Sequence, residues 1–586
     1  MYFMTPMDQL NIVFDMEIAP PNERFGLVWE EDAQPEQVIT MAERMFPSLK
    51  PVSELDIIGE ADALTHYVIE GDNYHALATL TMTHRGRIDA IYIDPPYNTR
   101  QSGLRYTDRT EGKTPTGRHS RWLSFMYHRL CLAKQLLTED GVLFISIDDR
   151  EMAHLKLLCD GIFSAKNFIG NFTWVNRTTP NDAANKFATD HEYILVYALQ
   201  RDRFQLKGVP KDFVKYVNRD DDPHGPWMPD NPSAASGTEK DRFPIKNPYT
   251  GEVYFPPPGR YWAFASRRVA EWTASGKLVF PQEAGKNFLL KKYRSELKSD
   301  TKPASSLIQG ILTSHGTKEL KQLFDAASPM KYPKPTALVK YLLGLLDKKE
   351  GIFLDFFAGS GTTGQAVMEL NREDGGRRRF ILCNNNENNI CREILYRRIQ
   401  KLFQGYTAPG SQTEVLYKQK LTLSDLANGA DITQHLATLT QQYQEYYDEI
   451  RRSLKNNVVM LEGIRKGPVA SPGYPDTLRY YQTLFLPPQD SRIRQACADL
   501  ITFQEEVFEP VQIHLNFQVY RSLRELVVLC FEGKYGFEAI DKHVRHARQT
   551  VKIYVFHRQD YYTAQGRYPE ATVAYVPIKM KQLFTS

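Results

Sequence analysis

The sequence predicts an α/β protein with a largely parallel sheet, an inserted domain of different composition and a smaller C-terminal α/β domain. Between about Tyr67 and Leu402, short apolar runs alternate with amphipathic stretches, which is typical of strand–helix–strand units. This alternation stops between about Thr178 and Ser328, where proline, glycine, asparagine, aspartate and aromatic residues dominate. The interruption predicts that a second domain is inserted into the sheet domain.

The composition is that of a folded protein. The chain has 586 residues, of which 42% are hydrophobic and 24% charged, and these values exclude a collagen-like, disordered or membrane-embedded chain. The formal charge of +3 is too small to make the whole chain bind polyanions, so any such surface must be local. Six cysteines without a C-x-x-C pair predict neither a disulfide framework nor a zinc site, and no bound metal is predicted.

The sequence also predicts a cytoplasmic protein without membrane association. No apolar run approaches the roughly 18 residues that a membrane-spanning helix needs. The N-terminal segment has no basic region and carries acidic residues within its apolar stretch, which does not match a signal peptide.

Individual elements follow from periodicity. An amphipathic helix is predicted over Trp122–Leu137, because Leu123, Met126, Leu130 and Ala133 recur at helical spacing, and it should pack on the sheet as a crossover. A second helix is predicted over Ile432–Leu461. The remaining predicted elements are strands Ile88–Ile93, Gly141–Ile147 and Gly351–Phe356 in the sheet domain and, near the C-terminus, helix Ser491–Phe508 with strands Leu526–Phe531, Val551–Phe556 and Thr572–Val576.

The first motif that carries chemistry is the segment Ile91–Asn98, with the sequence IYIDPPYN. An apolar strand ends at Asp94, two prolines stop the strand and fix the backbone, and Tyr97 follows at once. A rigidly held carboxylate beside a backbone carbonyl can accept both N–H bonds of an exocyclic amine, while the ring offers a stacking face. This pattern favours a planar aminated heterocycle as ligand over the alternative, a simple turn before a helix.

The second motif is the segment 353–364, with the sequence FLDFFAGSGTTG. A strand leads into a glycine turn and then into a helix near Thr362, so that backbone N–H groups converge on any ligand bound there. The string G-x-G-x-x-G alone also fits a dinucleotide phosphate loop or an ordinary tight turn. The absence of a following G-K-[ST] excludes a P-loop.

Together, the two motifs resemble those of the amino-methyltransferases that use S-adenosyl-L-methionine to methylate exocyclic amines of DNA bases. The catalytic motif comes first, the insertion second and the cofactor motif last, which is similar to the β group of that class. The resemblance implies a circularly permuted Rossmann-like methyltransferase sheet with both motifs at C-terminal strand ends. The implied regions are an N-terminal arm (1–60), the catalytic half of the methyltransferase domain (61–177), an inserted target-recognition domain (178–328), the cofactor-binding half (329–405), and a helical linker with a C-terminal α/β interaction domain (406–586).

The resemblance assigns the reaction to Asp94, Pro95, Pro96 and Tyr97. Asp94 and the Pro95 carbonyl would accept the two hydrogens of adenine N6, so that the nitrogen lone pair points at the methyl donor. The base would be flipped out of the duplex and stacked on Tyr97. Transfer would be direct, without a covalent enzyme intermediate.

The cofactor is assigned to the second motif and to three further segments. A side chain at Gly361 should then fill space that the cofactor needs. Asp72 could instead only cap the following helix, and the segment 332–336 could only begin one; at the usual position of a ribose-binding acid this sequence has asparagines. The implied cofactor-binding residues are Asp72, Asn73, Lys334, Thr336, Asp355, Phe357, Ala358, Gly359, Ser360, Gly361, Thr362 and Thr363, with Asn385 or Glu387 at the ribose.

A narrower resemblance concerns the modification (Mod) subunits of type III restriction-modification systems, carried by the segments GTKEL (316–320), NNENNI (385–390) and LRYYQT (478–483). It implies double-stranded DNA as substrate and a nuclease-helicase restriction subunit as partner. A homodimer is predicted from the tail, because about 180 residues follow Leu402 without a recognisable catalytic motif and such an appendage suits an interface, although it could instead only buttress its own catalytic domain. A local excess of basic residues in the insertion predicts phosphate contacts, although a solvated helix face would carry the same charges. The predicted DNA-binding residues are Lys286, Lys291, Lys292, Arg294 and Lys298.

Four alternatives remain open from the sequence. Cytosine N4 has the same two-hydrogen geometry as adenine N6, although aspartate at the first motif position favours adenine. Structured RNA is a less suitable substrate, because the long insertion suits the reading of a duplex. A DNA-specificity subunit without catalysis is the third alternative, and the intact Asp94, Tyr97 and Gly359–Thr363 argue against it. A nicotinamide-linked oxidoreductase is the fourth, since G-x-G-x-x-G alone allows it, and a cofactor-binding titration would distinguish it.

Overall fold

The structure, a computed structural model, describes residues 36–99, 115–178, 188–324, 328–421, 425, 429–455 and 457–576. Residues 1–35 of the predicted N-terminal arm, and residues 179–187 and 325–327 of the predicted insertion, lie outside the described residues. The chain divides into a larger compact unit, Met1–Gln205 with Ser305–Ser586, and a smaller one, Leu206–Ala304. None of the helices in the described ranges is both long and apolar enough to cross a membrane.

A ten-stranded sheet lies at the centre of the larger unit. The order of its strands across the sheet, numbered along the chain, is β1-β10-β2-β9-β8-β3-β4-β6-β5-β7. The strands are β1 (Phe46–Pro51), β2 (Thr65–Glu70), β3 (Ile88–Ile93), β4 (Leu137–Ile147), β5 (Phe168–Val175), β6 (His191–Ala198), β7 (Leu307–Ile308), β8 (Glu350–Asp355), β9 (Arg377–Asn384) and β10 (Thr477–Leu486).

The six strands from β10 to β4 are parallel, whereas β1 and β6 run antiparallel to their neighbours. Helices connect the parallel strands, as such crossovers require. The helices that flank or precede these strands are α1 (Gln37–Arg44), α2 (Asn73–Thr83), α3 (Pro115–Leu136), α4 (Met152–Phe163), α5 (Thr313–Leu323), α6 (Thr336–Gly344), α7 (Thr362–Asp374) and α8 (Arg397–Gln404).

The core explains why these segments form a parallel sheet. The central strands are apolar on both faces because helices cover both faces; Ile91, Ile145 and Leu354 are fully buried. Helix α3 buries Met126 and Leu130 against this core, as their spacing predicts. The strands predicted over 88–93, 141–147 and 351–356 are found with small shifts at their ends.

Strands β8 and β3 are adjacent, and the chain leaves them in opposite directions. From β8 it passes through α7 to β9 on one side, and from β3 through α3 to β4 on the other. Such a switch point leaves a crevice at the carboxyl ends of the strands, where α/β sheets bind ligands. Strand β3, which leads into the D-P-P-Y motif, precedes β8 in the chain, as the permuted sheet predicted from the sequence requires. The predicted α/β fold class is confirmed.

The smaller unit, residues 206–304, consists of short strands and loops around an aromatic core. Trp262 and Phe264 are buried at its centre with Leu278 and Leu290. The compact unit is shorter at both ends than the predicted insertion of residues 178–328, because β6, β7 and α5 belong to the larger unit. Its elements are strands Val209–Pro210, Trp227–Asp230, Ser233–Ala234, Ile245–Lys246, Val253–Tyr254, Tyr261–Trp262, Leu278–Val279, Leu289–Tyr293 and Thr301–Lys302, and helix Arg268–Ala274.

The long helix predicted over Ile432–Leu461 is wrong. The helix is Gly429–Tyr443, and the chain then forms strands that pair with Tyr406–Lys420 in a three-stranded antiparallel sheet. Apolar residues of this segment, Leu436, Val459 and Leu461, form a small core of their own. Long-range pairing overrode the apolar spacing from which the helix was predicted. The strands are Tyr406–Lys420, Glu449–Lys455 and Val458–Ser471.

The C-terminal α/β module is present as predicted, but the chain before it is not a separate appendage. Strand β10 lies between β1 and β2 inside the main sheet, so a boundary at residue 406 separates a strand from its own sheet. The module contains helices Ile493–Glu505, Gly533–Arg545 and Arg558–Arg567 and a five-stranded sheet of Glu509–Ile513, Phe517–Arg521, Glu525–Cys530, Thr550–Val555 and Thr572–Tyr575.

Candidate active site

Two aspartates meet at the carboxyl ends of the adjacent strands β3 and β8. The register pairs Leu354 with Ile91, so Asp355 ends β8 beside the strand that leads into Asp94. Asp355 is buried, whereas the side chain of Asp94 keeps 29% of its surface exposed. Asp94 therefore faces the crevice at the switch point, and Asp355 supports its floor.

Two hydrogen bonds fix the D-P-P-Y corner. The indole Nε1 of Trp122 donates a hydrogen bond to the Pro96 carbonyl at 2.7 Å. Asn98, in the left-handed backbone region at φ 57°, donates through Nδ2 to Glu151 Oε1 at 2.7 Å. In the described part of the chain, no donor reaches the Pro95 carbonyl. The predicted role of that carbonyl as an acceptor for a ligand stays a prediction.

Lys334 reaches the corner from the segment before α6. Its Nζ lies 2.9 Å from Asp94 Oδ1, 2.9 Å from Tyr97 Oη and 3.2 Å from Glu192 Oε2. The Tyr97 hydroxyl lies 2.9 Å from Asp94 Oδ1 and 3.0 Å from Glu192 Oε2. Asn176 Nδ2 donates to the other oxygen of Glu192 at 2.9 Å. Two carboxylates, a phenol and an ammonium thus form one cluster.

Burial and neighbouring charges both shift the pKa values of this cluster. Burial raises the pKa of Asp94, while the Lys334 ammonium works against that rise and Glu192 adds to it. Burial alone would lower the pKa of Lys334, but the neighbouring carboxylates outweigh it and raise that pKa. Burial and both carboxylates raise the pKa of the Tyr97 phenol well above its usual value. Lys334 therefore carries a proton and Tyr97 keeps its own.

The glycine loop after β8 is organised around Asp355. Its carboxylate accepts hydrogen bonds from the Phe357 backbone N–H at 3.0 Å and from Thr363 Oγ1 at 2.5 Å. Burial raises the pKa of Asp355 to about 7, against the effect of these two donors. Asp355 thus fixes the turn that brings the loop back to the start of α7.

Two glycines of the loop adopt left-handed backbone angles, Gly359 at φ 53° and Gly361 at φ 82°. A Cβ at Gly361 would lie 3.5 Å from Leu395 and 3.5 Å from Ile399, so it would point into the core. A Cβ at Gly359 would find only Met330 Cε at 3.6 Å and the Phe357 carbonyl at 3.8 Å. The expectation that a side chain at Gly361 fills ligand space is wrong, and Gly359 borders the open side of the loop.

A fully buried arginine, Arg398, stands behind the same loop. Its guanidinium donates to Ser360 Oγ and Thr362 Oγ1, both at 3.0 Å, and to Thr336 Oγ1 at 2.9 Å. Thr336 donates in turn to Glu319 Oε2 at 2.6 Å. The hydroxyls of Ser360, Thr362 and Thr336 are therefore occupied by the protein itself.

The neighbouring strand β2 ends at a second polar group. Asp72 caps α2 by accepting from the Tyr74 N–H at 2.8 Å, and about 40% of its side chain remains exposed. Asn73 donates to the Phe356 carbonyl at 2.9 Å and accepts from Arg129 at 2.5 Å. Asp72 thus caps the helix and is still accessible, so the structure is compatible with both predicted roles, helix cap and cofactor contact.

Strand β9, between β2 and β8, ends at the asparagines. Asn384 Oδ1 accepts from the Gly359 N–H at 3.0 Å, which ties this strand end to the glycine loop. Asn385 is exposed and Glu387 is half-buried. Both therefore lie at the carboxyl edge where the sequence predicts a ribose-binding residue.

One group of metal-ligating side chains is found in the described ranges. His119, Glu151 and His154 each offer an atom within 4.8 Å of the others. The buried Glu151 accepts from Nδ1 of His119 at 2.7 Å and lies 3.0 Å from Nδ1 of His154. Through the hydrogen bond from Asn98 to Glu151, this cluster also supports the D-P-P-Y corner.

Residues 88–395, more than half of the chain, match a family of proteins described as DNA methylase. The chain belongs to the N6/N4 DNA methylase family. The matched range begins at β3, which carries the D-P-P-Y corner, and extends past the glycine loop. The resemblance that the two motifs predict is therefore confirmed at the level of the family.

The chain is similar to several curated proteins at about 30% identity. It is 32% identical over 391 residues to the StyLTI Mod subunit of a type III restriction-modification enzyme from Salmonella typhimurium, covering 61% of this chain and 59% of that protein. It is 30% identical over 385 residues to the EcoP15I Mod subunit of Escherichia coli, covering 54% and 58%. The chain thus spans less than two thirds of the length of these Mod subunits.

A type II enzyme is equally similar: the methyltransferase M.KpnI of Klebsiella pneumoniae is 31% identical over 358 residues, which cover 57% of this chain and 84% of that protein. Among solved structures, the M1.HpyAVI–SAM complex is 14% identical and covers 57% of this chain and 99% of that chain. Its TM-score of 0.28 is too low to support a structural comparison.

The fold brings most of the predicted site residues to one edge of the sheet, but two of them have partners that the sequence did not predict. Lys334, predicted to bind the cofactor, contacts Asp94, and Thr336 is buried against Arg398 and Glu319. The prediction also missed Glu192, which only antiparallel pairing of β6 with β4 brings near β3. No spacing in the sequence connects these positions.

In the smaller unit, one of the predicted DNA-binding residues needs correction. Lys291 is only 4% exposed, and its ammonium lies 2.6 Å from Asp220 and 2.5 Å from Asp222. A buried, doubly paired lysine is not available to a phosphate. Lys286, Arg294 and Lys298 are exposed, Lys286 pairs with Glu283, and Lys292 is half-buried.

Proposed function

We propose that the methylase transfers a methyl group from S-adenosyl-L-methionine to adenine N6 of a base flipped out of duplex DNA. The observation that carries this proposal is the position of Asp94 at the switch point, next to the open Pro95 carbonyl and the Tyr97 ring. Family membership and the similarity to Mod subunits support it.

The residues at the crevice suit a cofactor of this kind. Gly359 and the half-buried Phe357 leave the loop open on one side, and exposed Asn385 and accessible Asp72 stand at the neighbouring strand ends. Backbone N–H groups and carboxylates are suitable partners for an amino acid and a nucleoside. We assign Asp72, Phe357, Gly359 and Asn385 or Glu387 to its binding, and the bound cofactor would supply an electrophilic methyl group.

The chain's own residues would activate the amine. The Asp94 carboxylate and the Pro95 carbonyl accept its two N–H bonds, which favours a pyramidal nitrogen with its lone pair turned away from the protein. Burial around Asp94 strengthens these hydrogen bonds, because water competes less for them. The Tyr97 ring, fixed through its hydroxyl, offers the stacking face for the base.

A flipped base costs a few kcal/mol of lost stacking, which contacts elsewhere must offset. We assign that role to the smaller unit, as a target-recognition domain with Lys286, Lys292, Arg294 and Lys298 as phosphate contacts. Exposed Arg294 and Lys298 support this assignment most directly.

For assembly, we propose a homodimer in which the recognition domain of one protomer serves DNA held by the other, and a nuclease-helicase restriction subunit as partner. The similarity to two Mod subunits supports the partner. The three-stranded sheet of residues 406–471, with its separate core, supports self-association through that segment.

The test is transfer of labelled methyl from S-adenosylmethionine to unmethylated duplex DNA, followed by digestion to nucleosides. We expect N6-methyladenine as the product. N4-methylcytosine would move the target to cytosine, whose amine has the same geometry, and no transfer to any duplex would reject the function.

Asp94→Ala is the matched variant for this assay. Because Asp94 acts on the base, transfer should be abolished while cofactor affinity, measured by calorimetry, stays within a few fold. A variant with near-normal turnover would reject the role of the D-P-P-Y corner.

A further inference from the structure

We propose that Lys334 and Glu192 are positioning residues that fix the orientation and ionisation of Asp94, with Oδ1 held by the protein and Oδ2 presented to the substrate amine. This inference rests on the proposed function and adds two residues to it. Neither residue belongs to the D-P-P-Y motif, and Glu192 lies on a strand of the sheet outside both motifs.

The first argument is the saturation of the Lys334 ammonium. An ammonium has three N–H donors, and three oxygens surround this one: Asp94 Oδ1 at 2.9 Å, Tyr97 Oη at 2.9 Å and Glu192 Oε2 at 3.2 Å. Only 10% of the side chain is exposed. Lys334 is therefore anchored in place and is not a mobile surface cation.

The second argument is the asymmetry of Asp94. Lys334 and Tyr97 both bond to Oδ1, and in the described ranges no hydrogen-bond donor reaches Oδ2. The carboxylate is thus held by one oxygen, while the other is available to an incoming N–H. A carboxylate that presents one fixed acceptor next to the fixed Pro95 carbonyl suits the two hydrogens of an exocyclic amine.

The third argument concerns charge. Asp94 and Glu192 are both acidic and share the single cation Lys334, so the cluster carries a net negative charge. The other groups facing it are the phenols of Tyr97 and Tyr92, the buried Asp355, the carboxylate of Asp148, which Glu192 repels, and the indole of Trp174, whose ring centre lies 5.9 Å from Lys334 Nζ. Lys334 is thus the one cation that opposes protonation of Asp94 within this part of the described structure.

These arguments predict opposite effects for the two charges. An opposite charge within about 4–6 Å lowers a carboxyl pKa by roughly 1–3 units, and a like charge raises it. Loss of Lys334 should therefore raise the pKa of Asp94, and loss of Glu192 should lower it. Substitution of a residue that only maintains the fold would leave the pKa of Asp94 unchanged.

The experiment is the pH profile of the single-turnover methyl-transfer rate at saturating cofactor and DNA, for Lys334→Met, Glu192→Gln and wild type. We expect the acidic limb of Lys334→Met to move up by about one pH unit or more. The acidic limb of Glu192→Gln should move to lower pH. The rate of Lys334→Met should therefore fall on the acidic side and recover as the pH rises, with cofactor affinity little changed.

Two further variants complete the design. Lys334→Arg keeps the charge and should keep the wild-type limb even if its rate falls. Lys331→Met, at an exposed lysine three positions earlier, should match wild type throughout.

The outcomes separate this inference from the proposed function. Uniform rate losses without a shift of the acidic limb, or shifts of the same sign in both variants, would overturn the positioning role while leaving the methyltransferase intact. A wild-type protein without transfer to DNA would instead reject the function itself. If Lys334→Met fails to fold, the shift of Glu192→Gln still decides.

Discussion

Arg398 donates a hydrogen bond to Thr336 Oγ1 at 2.9 Å, although 62 positions separate them in the sequence. The same guanidinium bonds to Ser360 and Thr362 at the glycine loop, and Glu319 lies 3.5 Å away. A single buried cation therefore joins the start of α6 to the loop after β8. These are the two segments that carry Lys334 and Gly359.

This relationship predicts that Arg398→Met destabilises the protein strongly. Removal of one partner from a buried polar network leaves the others unpaired, and the free energy of unfolding should fall by about 3–5 kcal/mol. Urea unfolding followed by fluorescence measures it. Arg397→Met, at the exposed neighbouring position, is the control and should change stability by less than about 0.5 kcal/mol. Equal stability of the two variants would remove Arg398 from this role.

The two loop glycines should respond differently to substitution. Gly361→Val should lower the unfolding temperature, because a β-branched residue at φ 82° is strained and its side chain enters the space beside Leu395 and Ile399. Gly359→Ala should cost only about 1–2 kcal/mol of backbone strain and mainly weaken cofactor binding, since its Cβ borders the open side of the loop. Calorimetric binding and thermal unfolding of both variants test this. Unchanged cofactor affinity in a folded Gly359→Ala protein would contradict it.

The stability of the protein without cofactor should depend on pH through Asp355. Burial raises the pKa of Asp355 to about 7 in the folded state, while it is about 3.9 in an unfolded chain. Between these values only the folded protein holds the proton, so this contribution to stability is complete below about pH 4 and is lost as the pH rises through 7.

Asp355→Asn should remove that dependence. The free energy of unfolding of wild type, relative to the variant, should fall by about 2 kcal/mol between about pH 5 and pH 7. Burial also raises the pKa of Asp499, to about 6, but that effect is common to both proteins and cancels. Parallel denaturant titrations at several pH values measure the difference, and a constant difference would show that Asp355 is ionised throughout.

The proposed dimer can be tested by excising residues 407–471. This segment leaves and returns at adjacent points, because Tyr406 pairs with Ser471 and the Tyr474 N–H bonds to the Phe403 carbonyl at 3.2 Å. A short Gly-Ser linker can therefore replace it without removing β10 from the main sheet. We expect light scattering to give a dimer for the full chain and a monomer for the excised one.

The controls for this experiment follow from the fold. The excised protein should keep the cofactor affinity of the full chain, which shows that the main sheet is intact. A truncation before Tyr406 is unsuitable, because it removes β10 from between β1 and β2. A monomeric full chain, or an excised chain that still dimerises, would exclude this segment as the dimer interface.

The sequence by itself determined the sheet and the chemical motifs. Buried strands such as Ile88–Ile93 are recognisable from continuous apolar runs. The D-P-P-Y corner and the glycine loop are each formed by one continuous segment, so their local chemistry can be deduced from the sequence. Because carboxyl ends of parallel strands share one edge, two motifs that each follow a strand could be expected to meet.

Only the tertiary structure decided which distant side chains complete the site. Glu192 reaches Tyr97 because β6 pairs antiparallel with β4, and Lys334 reaches Asp94 across 240 positions. The partners of Lys291 also depend on tertiary structure. Its charge in the sequence predicts a phosphate contact, but in the fold its ammonium pairs with Asp220 and Asp222. Local sequence fixes backbone preference and polarity, whereas the pairing of charges depends on the three-dimensional proximity of segments far apart in the chain.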